Sequence, residues 1–376
     1  HDGYTDLLVV FLPLWQAEFA LGYAAIGVMR ALYVGALALF QIPVAALTTR
    51  FGHRAVLGLG TAVAGASFIV AGSSETLAAL VVVLLLGGIG ASVQHPIAST
   101  LVAAAYEGSR SRGALAIYNF AGDVGKMTFP ALAALLLTLA PWRPVAAGLG
   151  LLGVVAAAAV FLLPSAIASG TRREPVIAHE GSGRGFPLLL AIGVLDSATR
   201  MAFITFLPFL LLGKGAAMTS VGIALTTLAL GGAAGKLACG WLGARFGVIG
   251  AVFLTEGLTA AAIVGLVALP LVPALALLPM IGVALNGTSS VLYGTVPELV
   301  RPEHRARAFG IFYTGTIGGG ALAPILFGAA GDAVGVVPSM IATAAMILLS
   351  LPLAWALAPW LSGGGATTPK QDTRRR

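Results

Sequence analysis

Twelve long apolar runs, each bounded by Gly, Pro or a cluster of charge, constrain this chain more than any other feature. They lie near residues 1–17, 24–48, 55–73, 76–105, 113–140, 144–164, 186–213, 218–243, 247–269, 271–299, 307–331 and 335–361. A helix needs about 20 apolar residues to cross the hydrocarbon core of a bilayer, and these runs are of that order. They are continuous and rich in Ala, Leu and Gly rather than alternating, which argues against a β-barrel. The expected fold class is an all-α integral membrane protein with twelve transmembrane helices. Composition enters as an exclusion. Only 9% of the 376 residues are charged, against about 25% in an ordinary soluble domain, which disfavours a soluble enzyme, a nucleic-acid binder and a disordered chain. Cys239 is the single cysteine, so an internal disulfide framework and a Cys-based metal cluster are excluded, and no cofactor is expected.

One long polar stretch, residues 165–185, divides the runs six and six and carries Arg172, Arg173, Glu174, His179, Glu180 and Arg184. The expected organisation is an N-terminal six-helix bundle over 1–164, a linker over 165–185, a C-terminal six-helix bundle over 186–361 and a solvated, disordered tail over 362–376. An even number of spans leaves both termini on one side. Fifteen of the 21 Lys and Arg residues fall on that side, among them Arg50, Arg54, Arg110, Arg112, Arg245 and Arg301, while the opposite loops hold only Arg143 and Lys214. The positive-inside bias predicts a multi-pass protein of the cell (inner) membrane with both termini and the linker in the cytoplasm. The same placement accounts for most of the net charge of +7 without a nucleic-acid partner. The expected partners are the lipid bilayer, a small solute and protons, and the expected state is a monomer.

Self-similarity appears at a fixed offset. Phe11-Leu12-Pro13 recurs 195 residues later as Phe206-Leu207-Pro208, Ile26-Gly27 recurs as Val221-Gly222, and Arg50-Phe51-Gly52 recurs as Arg245-Phe246-Gly247. In the fifth and eleventh runs, Gly125 and Pro130 match Gly319 and Pro324 at an offset of 194. Six spans return the chain to the same side, so the two halves are parallel, pseudo-symmetric copies. His1 then maps onto Asp196, about ten residues inside the seventh run. That register, with the absence of an initiator Met, predicts that the first helix begins before His1 and that Asp2 and Asp6 lie well inside the membrane.

Twelve spans in two parallel halves with a cytoplasmic linker resemble the major facilitator superfamily. The loop after that family's second helix typically reads Gly-x-x-x-Asp-Arg-x-Gly-Arg-Arg. Here it reads Ala45-Ala46-Leu47-Thr48-Thr49-Arg50-Phe51-Gly52-His53-Arg54, and the second half offers Gly240-Trp241-Leu242-Gly243-Ala244-Arg245-Phe246-Gly247. The resemblance implies the major facilitator fold and a gating role for Arg50, Gly52, Arg54, Arg245 and Gly247. The family's Asp, which helps to latch the cytoplasmic side, is replaced by Thr49 and Ala244. The fourth run, Gly88-Ile89-Gly90-Ala91-Ser92-Val93-Gln94-His95-Pro96, is similar to the Gly-x-Gly-Ser-x-x-x-His-Pro stretch of the fosmidomycin-resistance branch. That branch also tends to carry a His and an acid early in its first helix, as His1 and Asp6 stand here. The drug-antiporter Arg of the fourth span is absent, and the Gly-Pro antiporter motif of the fifth survives only as Gly122, Gly125 and Pro130.

Apart from Glu298 and Arg307 at the ends of their runs, nine charged residues fall inside the runs: the cations Arg30, Lys126, Arg200 and Lys236, and the acids Asp2, Asp6, Asp123, Asp196 and Glu256. A charge at mid-bilayer costs about 2.5–3.5 kcal/mol, so such side chains face a cavity or one another. Asp123 and Lys126 are three residues apart and Asp196 and Arg200 four, which puts each pair on one helix face. Each is either a closed internal salt bridge or a device that opens when a proton or a substrate replaces one partner. Arg30 and Lys236 have no acid at helical spacing on their own helices. They either snorkel to an interface or attract a carboxylate, phosphonate or phosphate group. His95 is either a buried neutral histidine bonded to a carbonyl that Pro96 frees, or a proton relay or substrate ligand. Asp2 and Asp6 share a face, an arrangement suited to carrying protons unless both are solvated at a cavity mouth. Glu256 is placed near the cytoplasmic end of its run, in water. Gly318-Gly319-Gly320 is the candidate gate element.

The expected function is a secondary active transporter working by alternating access. Arg30, Lys126, Arg200, Lys236 and His95 would bind substrate, and Asp2, Asp6, Asp123 and Asp196 would carry protons. The absence of a Walker motif points to an ion gradient as the energy source. The intramembrane cations favour a small anionic or zwitterionic organic solute, and the branch resemblance leans toward efflux. The alternative is a divalent-metal carrier using His1, Asp2, Asp6, His95 and Asp196, against the repulsion of four nearby cations. Neither a Gly-x-Ser-x-Gly nor a His-Glu-x-x-His motif is present, so an enzyme is not expected.

Overall fold

The computed structural model describes residues 1–106, 108–162, 185–301 and 305–362. Nearly all of the expected 165–185 linker and 362–376 tail, with Arg172, Arg173, Arg184, Lys370 and the terminal arginines, lie outside the described residues. Those residues form thirteen helices: α1 (Asp2–Phe19), α2 (Tyr23–Phe51), α3 (His53–Ala71), α4 (Leu77–Ala91), α5 (Gln94–Ala105), α6 (Gly108–Leu136), α7 (Trp142–Leu162), α8 (Gly185–Gly213), α9 (Met218–Ala268), α10 (Leu271–Leu299), α11 (Arg305–Val334), α12 (Val336–Leu348) and α13 (Ser350–Ser362). They make twelve crossings, because α4 and α5 share one, α9 makes two, and α12 and α13 share one.

Local chemistry explains where the helices break. Pro96 lacks the N–H that would bond the Ser92 carbonyl, and its ring crowds that turn, so α4 stops at Ala91 and α5 starts afresh at Gln94. Pro352 does the same to Leu348, where α12 ends. The two Arg-Phe-Gly sites are chain reversals: Gly52 has φ 79° between α2 and α3, and Gly247 has φ 70° inside α9. Only glycine enters that region without steric cost, so this repeat of sequence is a repeat of backbone geometry.

Ten crossings are long and apolar enough to span a membrane by length and composition. The other two are α1 and α6, the helices that carry Asp2, Asp6 and Glu18, and Asp123 and Lys126. Both bring charge to the interior, as α2, α8 and α9 also do with Arg30, Asp196, Arg200, Lys236 and Glu256.

The halves meet along two seams, α2 against α11 and α6 against α9, with α1 beside α8. Gly27 lies so close to the Pro324 carbonyl that a Cβ there would overlap it; a Cβ at Gly222 would overlap Ala134 and press tightly on the Pro130 carbonyl. Gly27 and Gly222 are repeat partners, as are Pro130 and Pro324, so one contact is made twice with the roles exchanged. Asp332 of α11 closes the first seam by capping α2: its carboxylate accepts from the backbone N–H of Tyr23 at 2.6 Å and of Ala24 at 2.9 Å. The Tyr23 ring stands edge-on to Phe206 and Phe209 of α8. The second seam adds a hydrogen bond from the Thr226 hydroxyl to the Met127 carbonyl at 2.9 Å. All of these lie toward the α1–α2 turn. At the opposite end, Phe51, Trp241 and Phe246 are 56%, 60% and 54% exposed.

A leucine at Gly27 is expected to force the α2–α11 seam apart and favour the conformation open at that end. The measurement is labelling of a cysteine at Gly331, beside Tyr23, by a membrane-impermeant maleimide in a Cys239→Ser background. Labelling should rise in Gly27→Leu; unchanged labelling means that the seam does not set this equilibrium.

The Gly318-Gly319-Gly320 run proves to be packing in part. A Cβ at Gly319 would press on Val194, and one at Gly320 on Ser197 and Met201, all on α8 of the same half.

Candidate functional site

The intramembrane charges gather where the two halves face each other. A cavity of about 170 Å³ is lined by Asp6, Asp123, Lys126, Arg200, Lys236 and Asn286, among others. Drug-sized ligands occupy pockets from about 300 Å³ upward, so this space suits a small solute.

Every one of these charges except Glu256 is held by an oppositely charged partner from a neighbouring turn or helix. Asp2, on α1, lies 3.3 Å from Lys126 Nζ on α6 and 3.3 Å from His95 Nε2 on α5. Lys126 also lies 3.8 Å from Asp123, one turn earlier on its own helix. Lys236, on α9 of the other half, donates to both Asp123 carboxylate oxygens at 2.7 Å. Asp2, Lys126, Asp123 and Lys236 thus form one continuous chain of charge that crosses the seam between the halves, with His95 against its Asp2 end. Arg30 stands deeper, 1% exposed. Its guanidinium donates to the Thr5 carbonyl at 2.6 Å, lies 3.7 Å from Asp6, and reaches Met201 Sδ of α8 at 3.9 Å. In the C-terminal half Arg200 holds Asp196 at 3.3 Å.

The i,i+3 and i,i+4 pairs expected from spacing, Asp123 with Lys126 and Asp196 with Arg200, are both present. Arg30 and Lys236 are not free cations. Arg30 takes its acid from α1 and Lys236 from α6, across the halves, which spacing along one helix does not reveal. His95 is not a buried histidine bonded to a backbone carbonyl: its side chain is 47% exposed and faces Asp2. Glu256 is not solvated at a helix end but 1% exposed inside the C-terminal half. The turns expected to gate the molecule hold their arginines against aromatic faces, Arg50 5.3 Å from the Phe51 ring and Arg245 5.7 Å and 5.9 Å from those of Trp241 and Phe246. Arg54 is part-exposed at the start of α3.

The metal-carrier ligand set is not assembled. Among the described residues no three His, Cys, Asp or Glu side chains converge on a point that would hold a metal ion. His1 Nε2 is within 2.8 Å of the Thr61 hydroxyl, Asp196 is held by Arg200 in the other half, and Lys126 occupies the approach to Asp2.

A family model described as Major Facilitator Superfamily matches residues 4–187 and 189–374. No curated protein matches the chain by sequence. Two solved structures share its fold. A bacterial homolog to the human lysosomal transporter Spinster, in an inward-facing and occupied conformation, superposes with a TM-score of 0.79 at 16% identity, over 98% of this chain and 95% of that one. The inward-facing and unoccupied form gives 0.76 at 17% identity, over 98% and 96%.

Proposed function

Because this chain belongs to the Major Facilitator Superfamily, we propose that it is a proton-coupled secondary transporter that moves a small organic anion or zwitterion by alternating access. The carrying observation is the Lys236–Asp123 bond, at once a link between the halves and the occupation of a cation by an acid. The cavity lining sets three cations, Lys126, Arg200 and Lys236, against two acids, Asp6 and Asp123. Arg200 is paired with Asp196 behind the lining and Lys126 with Asp2, so an anion enters by replacing an acid on its cation. Protonation of Asp123 ends its hold on Lys236 and Lys126, and the freed ammonium groups then bind the solute's negative group. Asp2 and Asp6 stand next to cations in the same way, with His95 as the relay to Asp2.

The two bundles, residues 1–164 and 186–361, rock about this cavity. Charge bias places the Arg50, Arg54 and Arg245 turns in the cytoplasm, so the seam contacts at Tyr23 and Gly222 lie at the outer end and the cavity faces inward. The likeness of Gly88 to Pro96 to the fosmidomycin-resistance stretch supports export, and the expected setting is a monomer in the inner membrane.

Proteoliposomes containing the protein, loaded with labelled organic anions and given a pH gradient of either sign, test this reading. Anion movement that follows the gradient supports it. Flux that ignores pH removes the proton, and flux of divalent cations in place of anions removes the substrate class.

A further inference from the structure

The five intramembrane acids outnumber the four intramembrane cations, and the structure identifies the one left over. Asp2, Asp6, Asp123 and Asp196 each lie within 4 Å of a Lys or Arg nitrogen. Among the described residues Glu256 has no such partner, although it is 1% exposed. Its Oε1 has no hydrogen-bond partner, nor have the hydroxyls of Thr259, one turn further along α9, and Thr199 on α8, both 0% exposed. Thr288 of α10 faces Glu256 and donates to the Thr255 hydroxyl at 2.7 Å. The charges that act on it come from Asp196 and Arg200 of α8. Tyr293 of α10 faces that same pair, and α12 and α13, which also pack on α9, contain no ionisable side chain.

A carboxylate sealed among hydroxyls and apolar side chains with no cation is among the costliest groups a protein interior can hold, and the group neutralises itself instead. We propose that Glu256 is a proton-binding site inside the C-terminal half, separate from the central cavity and reached from it through the Asp196–Arg200 pair. Arg200 lines the cavity and Asp196 stands behind it, 3% exposed. A proton taken from cavity water by Asp196 releases the guanidinium, and its transfer to Glu256 restores the Asp196–Arg200 pair. The net change is one proton moved from water to Glu256, and the way out reverses it. The use of this proton in coupling rests on the proposed proton-linked transport; the existence of the site does not.

Infrared spectroscopy of the lipid-reconstituted protein tests the site without any substrate. The wild type at neutral pH should show the carbonyl stretch of a buried carboxylic acid, slow to exchange in D₂O. That band should vanish in Glu256→Gln and return, shifted, in Glu256→Asp. A wild-type spectrum without the band, or a band that persists unchanged in Glu256→Gln, overturns the proposal even if transport follows the pH gradient. A band assigned to Glu256 by both variants upholds the site even if no proton-linked flux is found, and in that case only the transport reading fails.

Discussion

Lys236→Ala is expected to weaken binding of the transported anion by roughly 30-fold or more and to stop its accumulation, while leaving the unfolding temperature of the ligand-free protein almost unchanged. The two effects separate because the Lys236 side chain is 41% exposed and that of Asp123 13%. An ion pair in contact with water contributes about 1 kcal/mol or less to stability. An anion that loses its ammonium partner in a confined site loses about 2 kcal/mol or more. Asp123→Asn should do the reverse, freeing Lys236 and Lys126 so that the anion binds more tightly and with less dependence on pH. Thermal shift across a panel of organic anions reads both variants. Ligand stabilisation that survives Lys236→Ala removes Lys236 from the site.

Arg30→Ala should damage the fold as well as the transport. Arg30 is fully enclosed between α1 and α2, joined to the Thr5 carbonyl and Asp6, and its far end touches α8. Its removal takes from Asp6 its nearest counter-charge and leaves a void the size of the side chain. Breaking one side of a buried pair typically costs about 3–5 kcal/mol, enough to lower the unfolding temperature clearly and to reduce folded yield. Arg30→Lys keeps the charge but not the fork that spans the carbonyl and the carboxylate, so it should recover only part of the loss. The decisive comparison is the double variant Arg30→Ala with Asp6→Asn. If the cost arises from a stranded acid, the double variant is more stable than Arg30→Ala alone. Equal stability would assign the cost to the void instead.

The architecture was legible because a bilayer allows few solutions: continuous apolar runs of about 20 residues become helices, and their number and the two-fold repeat follow from counting. Gly27, Gly222, Pro130 and Pro324 stand out in sequence as markers of that repeat, and in the structure they are among the residues through which the halves touch. The charged pairs inside one helix were legible too, since i,i+3 and i,i+4 spacing fixes a shared face. Pairs between helices were not. Lys236 with Asp123 and Arg30 with Asp6 depend on crossing angles and relative depth, which no spacing along one chain encodes. Glu256 shows how depth is misjudged. It lies nine residues beyond the reversal at Gly247, about 13 Å at 1.5 Å per residue, which is the middle of a span rather than its edge. Asp332 lies between the eleventh and twelfth runs, and nothing in sequence shows that it ends beneath the first turn of a helix in the other half.

The paired glycine contacts also limit how the molecule moves. Two points define a line, and a rigid body held at two points keeps a single rotation. Gly27 on Pro324 and Gly222 on Pro130 are such points, one in each seam and related by the repeat. The ion pair between Lys236 and Asp123 has no counterpart on the other flank, since Gln41 stands at the repeat equivalent of Lys236. Neutralising Asp123 therefore unloads one flank only. The resulting torque is lopsided, and a symmetric frame acquires a preferred direction of swing.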